Sequence, residues 1–271
     1  MTMFGIFLAA VTLAIQDLPQ GSKLLRGRTV SPDGKYAYLV HTIGRHWLPV
    51  SQVERGWCHN AALSVFDAES GRYVNTVLLD EVDLGAAEPW DVICTPQEIV
   101  VAHSGSSELS FIDRAAFESR LEAAKGQDLS TDMTFLDGIR RRESTPKQGP
   151  RKLQFKNGKV AVTEYLVDKT GVTKGELLFN DARECFQNWQ SCATCHPDGG
   201  TDKQEWSFPK GDSFRIPEVS CDLKNMRSGY RRRMAHDIRV ALFSEPEPAK
   251  EAELEKYVKS LMSSKRDTGP Q

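Results

Sequence analysis

Five consecutive residues, Cys192-Ala193-Thr194-Cys195-His196, have the types and spacing to do chemistry. Two thiols separated by two residues can form thioethers to the two vinyl groups along one porphyrin edge. The histidine that follows is then held against the iron. C-x-x-C-H is therefore the attachment signature of a c-type haem, with Cys192 and Cys195 as covalent anchors and His196 as proximal iron ligand. The same residues also suit half of a zinc site or a redox dithiol. An iron held by His196 has a second axial position. Methionine there raises the potential and suits electron transfer, whereas an open position suits oxygen or peroxide chemistry. Met226 falls in a segment read as loop and is the favoured distal ligand. Met234 shares a helical stripe with Ile238 and Leu242, where a methionine is usually core, and is the runner-up. His236 is an outside option. Trp189 and Trp206 flank the motif and are expected against the porphyrin or in the general core. Arg231, Arg232 and Arg233 suit haem propionates, an acidic redox partner or simply a solvated helix face. His41, His46, His59 and His103 show no ligand-like clustering and read as structural.

The elements around the motif read as helical. Thr173-x-x-Glu176 matches a capping box opening a helix that carries Leu177 and Leu178, with Cys185 near its apolar face. Tyr230 to Phe243 places Met234, Ile238, Ala241 and Leu242 on one stripe. Glu251 to Met262 places Leu254, Tyr257, Val258 and Leu261 at i, i+3, i+4, i+7. Three helices around such a loop make a small cytochrome c arrangement, and Gly175 against Tyr257 is the expected crossing of first and last helices.

Upstream, Thr29 to about Tyr165 reads as β. "TVSPDGKYAYLVHTIG" is a strand pair about Pro32-Asp33-Gly34, and "ALSVFDAESGRYVNTVLL" another about Glu69-Ser70-Gly71. "WDVICTPQEIVVAHSG" and "SELSFIDR" echo them, and "RKLQFKNGKVAVTEYL" turns on Asn157-Gly158. Strand pairs recurring at about 40–50 residues predict propeller-like blades. A closed ring takes roughly four to eight blades, and about three are counted here. The set therefore forms an open stack, or closes by homo-oligomerisation through β edges. Arg114 to Lys125 reads as a helix bearing Phe117 and Leu121, Thr134 to Arg142 as a second, and Arg140-Arg141-Arg142 as a solvated charge cluster.

Composition narrows the classes. The chain has 271 residues, 39% hydrophobic and 27% charged, with a net charge of −2, which gives no basis for nucleic-acid binding. A mean hydropathy of −0.44 and the lack of a long apolar run argue against a stable membrane span. Phe4 to Ile15 is an uncharged apolar run too short to cross a bilayer and fits a signal-peptide core, with Thr12 and Ala14 as the small residues before a cut. Of six cysteines, two go to haem. Cys58, Cys94, Cys185 and Cys221 then allow three disulfide pairings, or remain as buried free thiols.

On specific stretches the chain resembles bacterial YVTN-type β-propeller proteins with a C-terminal cytochrome c domain, near the di-haem peroxidase and MauG-like group. Gly44-Arg45, Leu48-Pro49, Gln52 and Arg55-Gly56-Trp57, running on to "NTVLLDEVDLGAAEPW", are similar to the last blades. "GELLFNDARECFQNWQSCATCHPDGGTD" is similar to the haem segment. Met226-Arg-Ser-Gly-Tyr-Arg is similar to the family's Met-x-x-Gly-x-Arg, while Met234 lies nearer the family spacing. The resemblance covers roughly residues 28 to 262. It implies covalent haem c, an extracytoplasmic location, and electron transfer or an allied oxidase role. Two features depart from it: the family has more blades upstream, and "GDSFRIPEVSCDL" keeps Pro217 but not the asparagines of the usual loop. The expected fold class is α+β multidomain: a signal peptide over 1–14, a propeller-like antiparallel β region over 28–166, an all-α cytochrome c domain over 172–264 and a disordered tail over 265–271. The expected function is a periplasmic or secreted mono-haem electron carrier with a redox partner protein. The alternatives are a haem-dependent peroxidase or MauG-like oxidase with an open distal site, and a decayed propeller-cytochrome.

Overall fold

The computed structural model describes residues 15–207, 213–216, 239, 241–242, 244–245 and 247–264. Met226, Met234, His236, Arg231 to Arg233, Cys221, nearly all of the expected 230–243 helix, the apolar run before Ile15 and the tail after Ser264 lie outside them.

Antiparallel sheet dominates. The first sheet holds β1 (Ser22–Lys23), β2 (Arg28–Val30), β3 (Tyr36–Gly44), β4 (His59–Asp67) and β5 (Tyr73–Leu78), in the order β1-β3-β4-β5 with β2 also on β3. The second holds β6 (Pro89–Cys94), β7 (Glu98–His103), β8 (Glu108–Asp113) and β9 (Arg140–Ser144), in sequence order. β2 to β5 and β6 to β9 each run as a meander, as a propeller blade does. A hairpin follows, β10 (Pro150–Lys156) and β11 (Lys159–Tyr165). The turns sit where the sequence puts them. Asp33 accepts from the Ser31 hydroxyl at 2.6 Å, and Gly34 takes φ +74°. Asn157 and Gly158 both have positive φ, +54° and +73°, as a two-residue hairpin turn matching strand twist requires.

Strand β3 is buried along its whole length because both of its faces are covered. One face packs Tyr36, Tyr38 and Val40 with Val92, Ile99, Val101 and Ile112 of the second sheet. The other packs Ala37 and Leu39 with Phe66, Ile15 and Leu18. Helix α1 (Arg114–Ala123), capped by Asp113 accepting from the Ala116 N–H at 2.8 Å, closes the main core with Phe117 and Leu121.

The structure differs from expectation after α1. Residues 134 to 139 form turns ending in Gly138 at φ +73°, and Arg140 opens a strand rather than continuing a helix. Strand alternation then splits the arginines. Arg140 and Arg142 turn inward, at 3% and 7% side-chain exposure, onto Glu81 and Glu108, while Arg141 is 53% exposed beside Glu98 and Glu143. They are therefore not a solvated cluster.

The C-terminal part carries α2 (Lys174–Phe179), the one-turn α3 (Cys192–Cys195) and α4 (Pro248–Ser264). It is not all-α. Strands β12 (Glu205–Ser207) and β13 (Ser213–Arg215) pair antiparallel within it. Thr173 caps α2, accepting from the Glu176 N–H at 3.1 Å. Helices α2 and α4 touch at Gly175: a Cβ there would run into the Glu253 carbonyl and stand 2.6 Å from Tyr257 Cβ. Among the described residues Cys58, Cys94, Cys185, Cys192 and Cys195 form no disulfide, and Cys58 and Cys185 are buried. Among the described residues no helix is long and apolar enough to cross a membrane.

Candidate haem-attachment site

Helix α3 is short because its ends are tightly closed. Ser191 and Thr194 form a reciprocal capping box: the Ser191 hydroxyl accepts from the Ala193 N–H at 3.1 Å, and Thr194 Oγ1 accepts from the Ser191 N–H at 2.9 Å. His196 ends the turn at φ −118°, ψ 61°. The chain then folds back through Asp198 at φ +52° and Gly199 at φ +72°, where a Cβ would meet Leu261. This return brings the Gly200 carbonyl to 3.0 Å from His196 Nδ1. Nδ1–H donates to that carbonyl, so the lone pair is on Nε2.

The two thiols enter different surroundings. Cys192 packs among Phe179, Trp189, Leu254 and Val258. Cys195 faces the β region, its Sγ 3.9 Å from His59 Nε2, and burial pushes its thiol up to about 12. Beside them Lys23 Nζ donates to Asp202 Oδ2 at 2.7 Å, to His59 Nε2 at 3.0 Å and to the Thr194 carbonyl at 3.0 Å. His59 Nδ1 meets Gln190 Oε1, and Trp206 Nε1 donates to Asp202 at 3.1 Å. Burial first, then the Lys23 charge, holds His59 well below the usual imidazole range, so it stays neutral.

A second clasp lies one turn away. Glu88, at φ +55°, accepts through Oε1 from the Ser191 and Thr194 hydroxyls, the latter at 3.1 Å. Burial raises its pKa, and those two hydroxyls oppose the rise. Gly85 N–H donates to the Gln187 carbonyl at 2.8 Å, and a Cβ on Gly56 would stand 2.5 Å from the Trp189 ring. Trp189 therefore packs on Gly56 and with Phe179, and Trp206 on His59 at 4.7 Å between ring centroids.

Cys192, Cys195 and His196 are thus brought together, while both methionines fall outside the described residues. Sequence reading missed Lys23, Glu88 and the place of His59. His59 lies 136 positions from Cys195, so no local spacing could link them. The donor set fits a c-type haem: two thiols one helical turn apart, then an imidazole whose Nδ1–H is committed to a carbonyl and whose Nε2 can bind iron.

No protein-family model matches the chain. It is 28% identical over 76 residues to hydrazine synthase subunit beta of Kuenenia stuttgartiensis, a segment covering 28% of this chain and 20% of that protein. A solved structure of Kuenenia stuttgartiensis hydrazine synthase superposes with a TM-score of 0.42 at 20% identity, over 55% of this chain and 47% of that one. In both cases the chain spans less than half the length of its match.

Proposed function

We propose that the chain is an extracytoplasmic c-type cytochrome with one covalent haem, working as an electron carrier. The observation that supports this most is the His196 Nδ1–H bond to the Gly200 carbonyl at the end of the Cys192–Cys195 turn. A ligating histidine of a metal site commits its other nitrogen in this way. Cys192 and Cys195 would anchor the haem and His196 Nε2 would bind its iron, which supplies a one-electron ferric/ferrous couple. The chain's own residues orient and shield: Glu88 and Lys23 fix the loop, and Trp189, Phe179 and Trp206 exclude water around the thiols. Met226 is our proposed distal ligand, with Met234 as the alternative. A redox partner protein would dock on the β region, and the end strand β9 of its second sheet would be the route to self-association.

The test is export of the full chain alongside a haem c maturation system, followed by absorption spectra and mass of the denatured protein. One haem retained after denaturation, lost in Cys192→Ala/Cys195→Ala, with a low-spin ferrous spectrum that Met226→Ala turns high-spin, is the expected result. A high-spin spectrum that shifts with peroxide would move the reading to an oxidase. Absence of bound haem would end it.

A further inference from the structure

The side-chain cluster beside Cys195 has the chemistry of a metal site distinct from the haem. His59, Cys195 and Asp202 each offer one ligand atom, and these atoms lie within 4.8 Å of one another. An imidazole, a thiolate and a carboxylate are the ligand types zinc takes. Around a tetrahedral zinc, sulfur and nitrogen ligands stand about 3.6 Å apart from bond lengths of about 2.3 and 2.0 Å. The His59–Cys195 separation is 3.9 Å.

Three further features point to a cation. First, His59 is pre-oriented. Gln190 Nε2 donates to the Ala241 carbonyl at 2.6 Å, which turns Gln190 Oε1 toward His59. His59 Nδ1–H donates to that oxygen, so Nε2 is the unprotonated nitrogen, and its lone pair is turned to the Lys23 ammonium with Cys195 alongside. Second, Asp202 is held by the Trp206 N–H at 3.1 Å, and its side chain has no exposure. Third, a cation already stands there. The Lys23 ammonium lies 2.7 Å from Asp202, 3.0 Å from His59 Nε2 and 3.0 Å from the Thr194 carbonyl. An ammonium ringed by acceptors at these distances marks where a metal ion would sit.

We propose that the haem-free chain binds a thiophilic divalent cation, zinc-like in preference, through His59 Nε2, Cys195 Sγ and Asp202, with Lys23 as its built-in competitor. Binding forms a sulfur–metal bond and breaks the Cys195 S–H bond. The proton leaves to solvent, and no electrons are transferred. Lys23 gives up its place in the cluster as the ion enters. Thioether formation at Cys195 removes the thiolate charge, so metal and haem exclude each other. The site does not rest on the haem reading. Failure of haem attachment would leave the metal experiment unaffected.

The probe is Co²⁺ added to the full chain produced without haem, followed by absorption, with Zn²⁺ competition for affinity. Wild type and Cys192→Ser should both show thiolate-to-cobalt charge transfer and tetrahedral d–d bands. Cys195→Ser and His59→Ala should lose them. Gln190→Ala, which releases the His59 ring along with the Ala241 carbonyl, should weaken binding about 10–100-fold. Lys23→Ala should tighten it, a gain that a merely misfolded variant could not give. Bands that survive His59→Ala but vanish in Cys192→Ser would assign the metal to the C-x-x-C-H motif and overturn the proposal. Lack of cobalt binding in both wild type and Lys23→Ala would also overturn it.

Discussion

The attachment loop is gripped from two sides by opposite physics. On the helical side, α2 and α4 meet at Gly175 and bury Phe179, Leu254 and Val258 beside Cys192. On the β side the contacts are polar: Lys23 to Asp202 and Thr194, Glu88 to Ser191 and Thr194, His59 to Gln190. Apolar contact is non-directional and tolerates sliding. Buried polar groups are costly unless each meets its partner, so they accept one register. The helical side supplies burial, and the β side supplies position.

Breaking the polar side should cost most. Lys23→Met leaves the fully buried Asp202 without its cation, and losing one partner of such a pair costs about 3–5 kcal/mol. Denaturant unfolding of the full chain measures it. A loss below about 1 kcal/mol would show that Trp206 alone satisfies Asp202.

Acid should attack the same side next. Burial lowers His41 to about 4 and His103 to about 3, so both are neutral when folded. The unfolded chain takes up these protons first as pH falls below about 6.5. The stability they contribute is present above that pH and is lost toward 4 and 3, at about 1.4 kcal/mol per pH unit for each. Glu88 and Asp80, raised by burial, work in the opposite sense. Hydrogen exchange at pH 5 should show β3, β4, β7 and β8 opening before the α2–α4 crossing. The reverse order would remove the imidazoles as the acid-labile groups.

The smallest effect is expected on the apolar side. Gly175→Val forces α2 from α4 and should cost about 1–3 kcal/mol. Protection of the Ser191 and Thr194 amides should survive, since Glu88 and the capping box hold them independently. Their loss would make the two grips one cooperative unit.

The sequence made one of these sides readable. Thr173 to Glu176 and the Leu254–Tyr257–Val258 stripe are local or periodic signals, as are the hairpins at Gly34 and Asn157-Gly158, and the Gly175–Tyr257 contact followed from the three-helix arrangement expected around the motif. The polar side is made of single residues far apart in the chain. Glu88 lies 106 positions from Thr194, and Lys23 lies 179 from Asp202. Neither belongs to a pattern. The 134–142 helix failed because apolar periodicity does not see Gly138 in the left-handed region or the pairing of β9 with β8. The same pairing buried two of the three arginines read as solvated.

Lys23 also imposes an order in time. It lies in β1 (Ser22–Lys23), and its partner Asp202 is made 179 residues later. The clasp on the C-x-x-C-H loop can close only once Asp202, which follows Cys195 by seven residues, has been made. Until Lys23 docks on Asp202 and His59, Cys195 stays accessible to whatever modifies it. Any trimming of the N-terminus that reaches Lys23 would leave that window open for good.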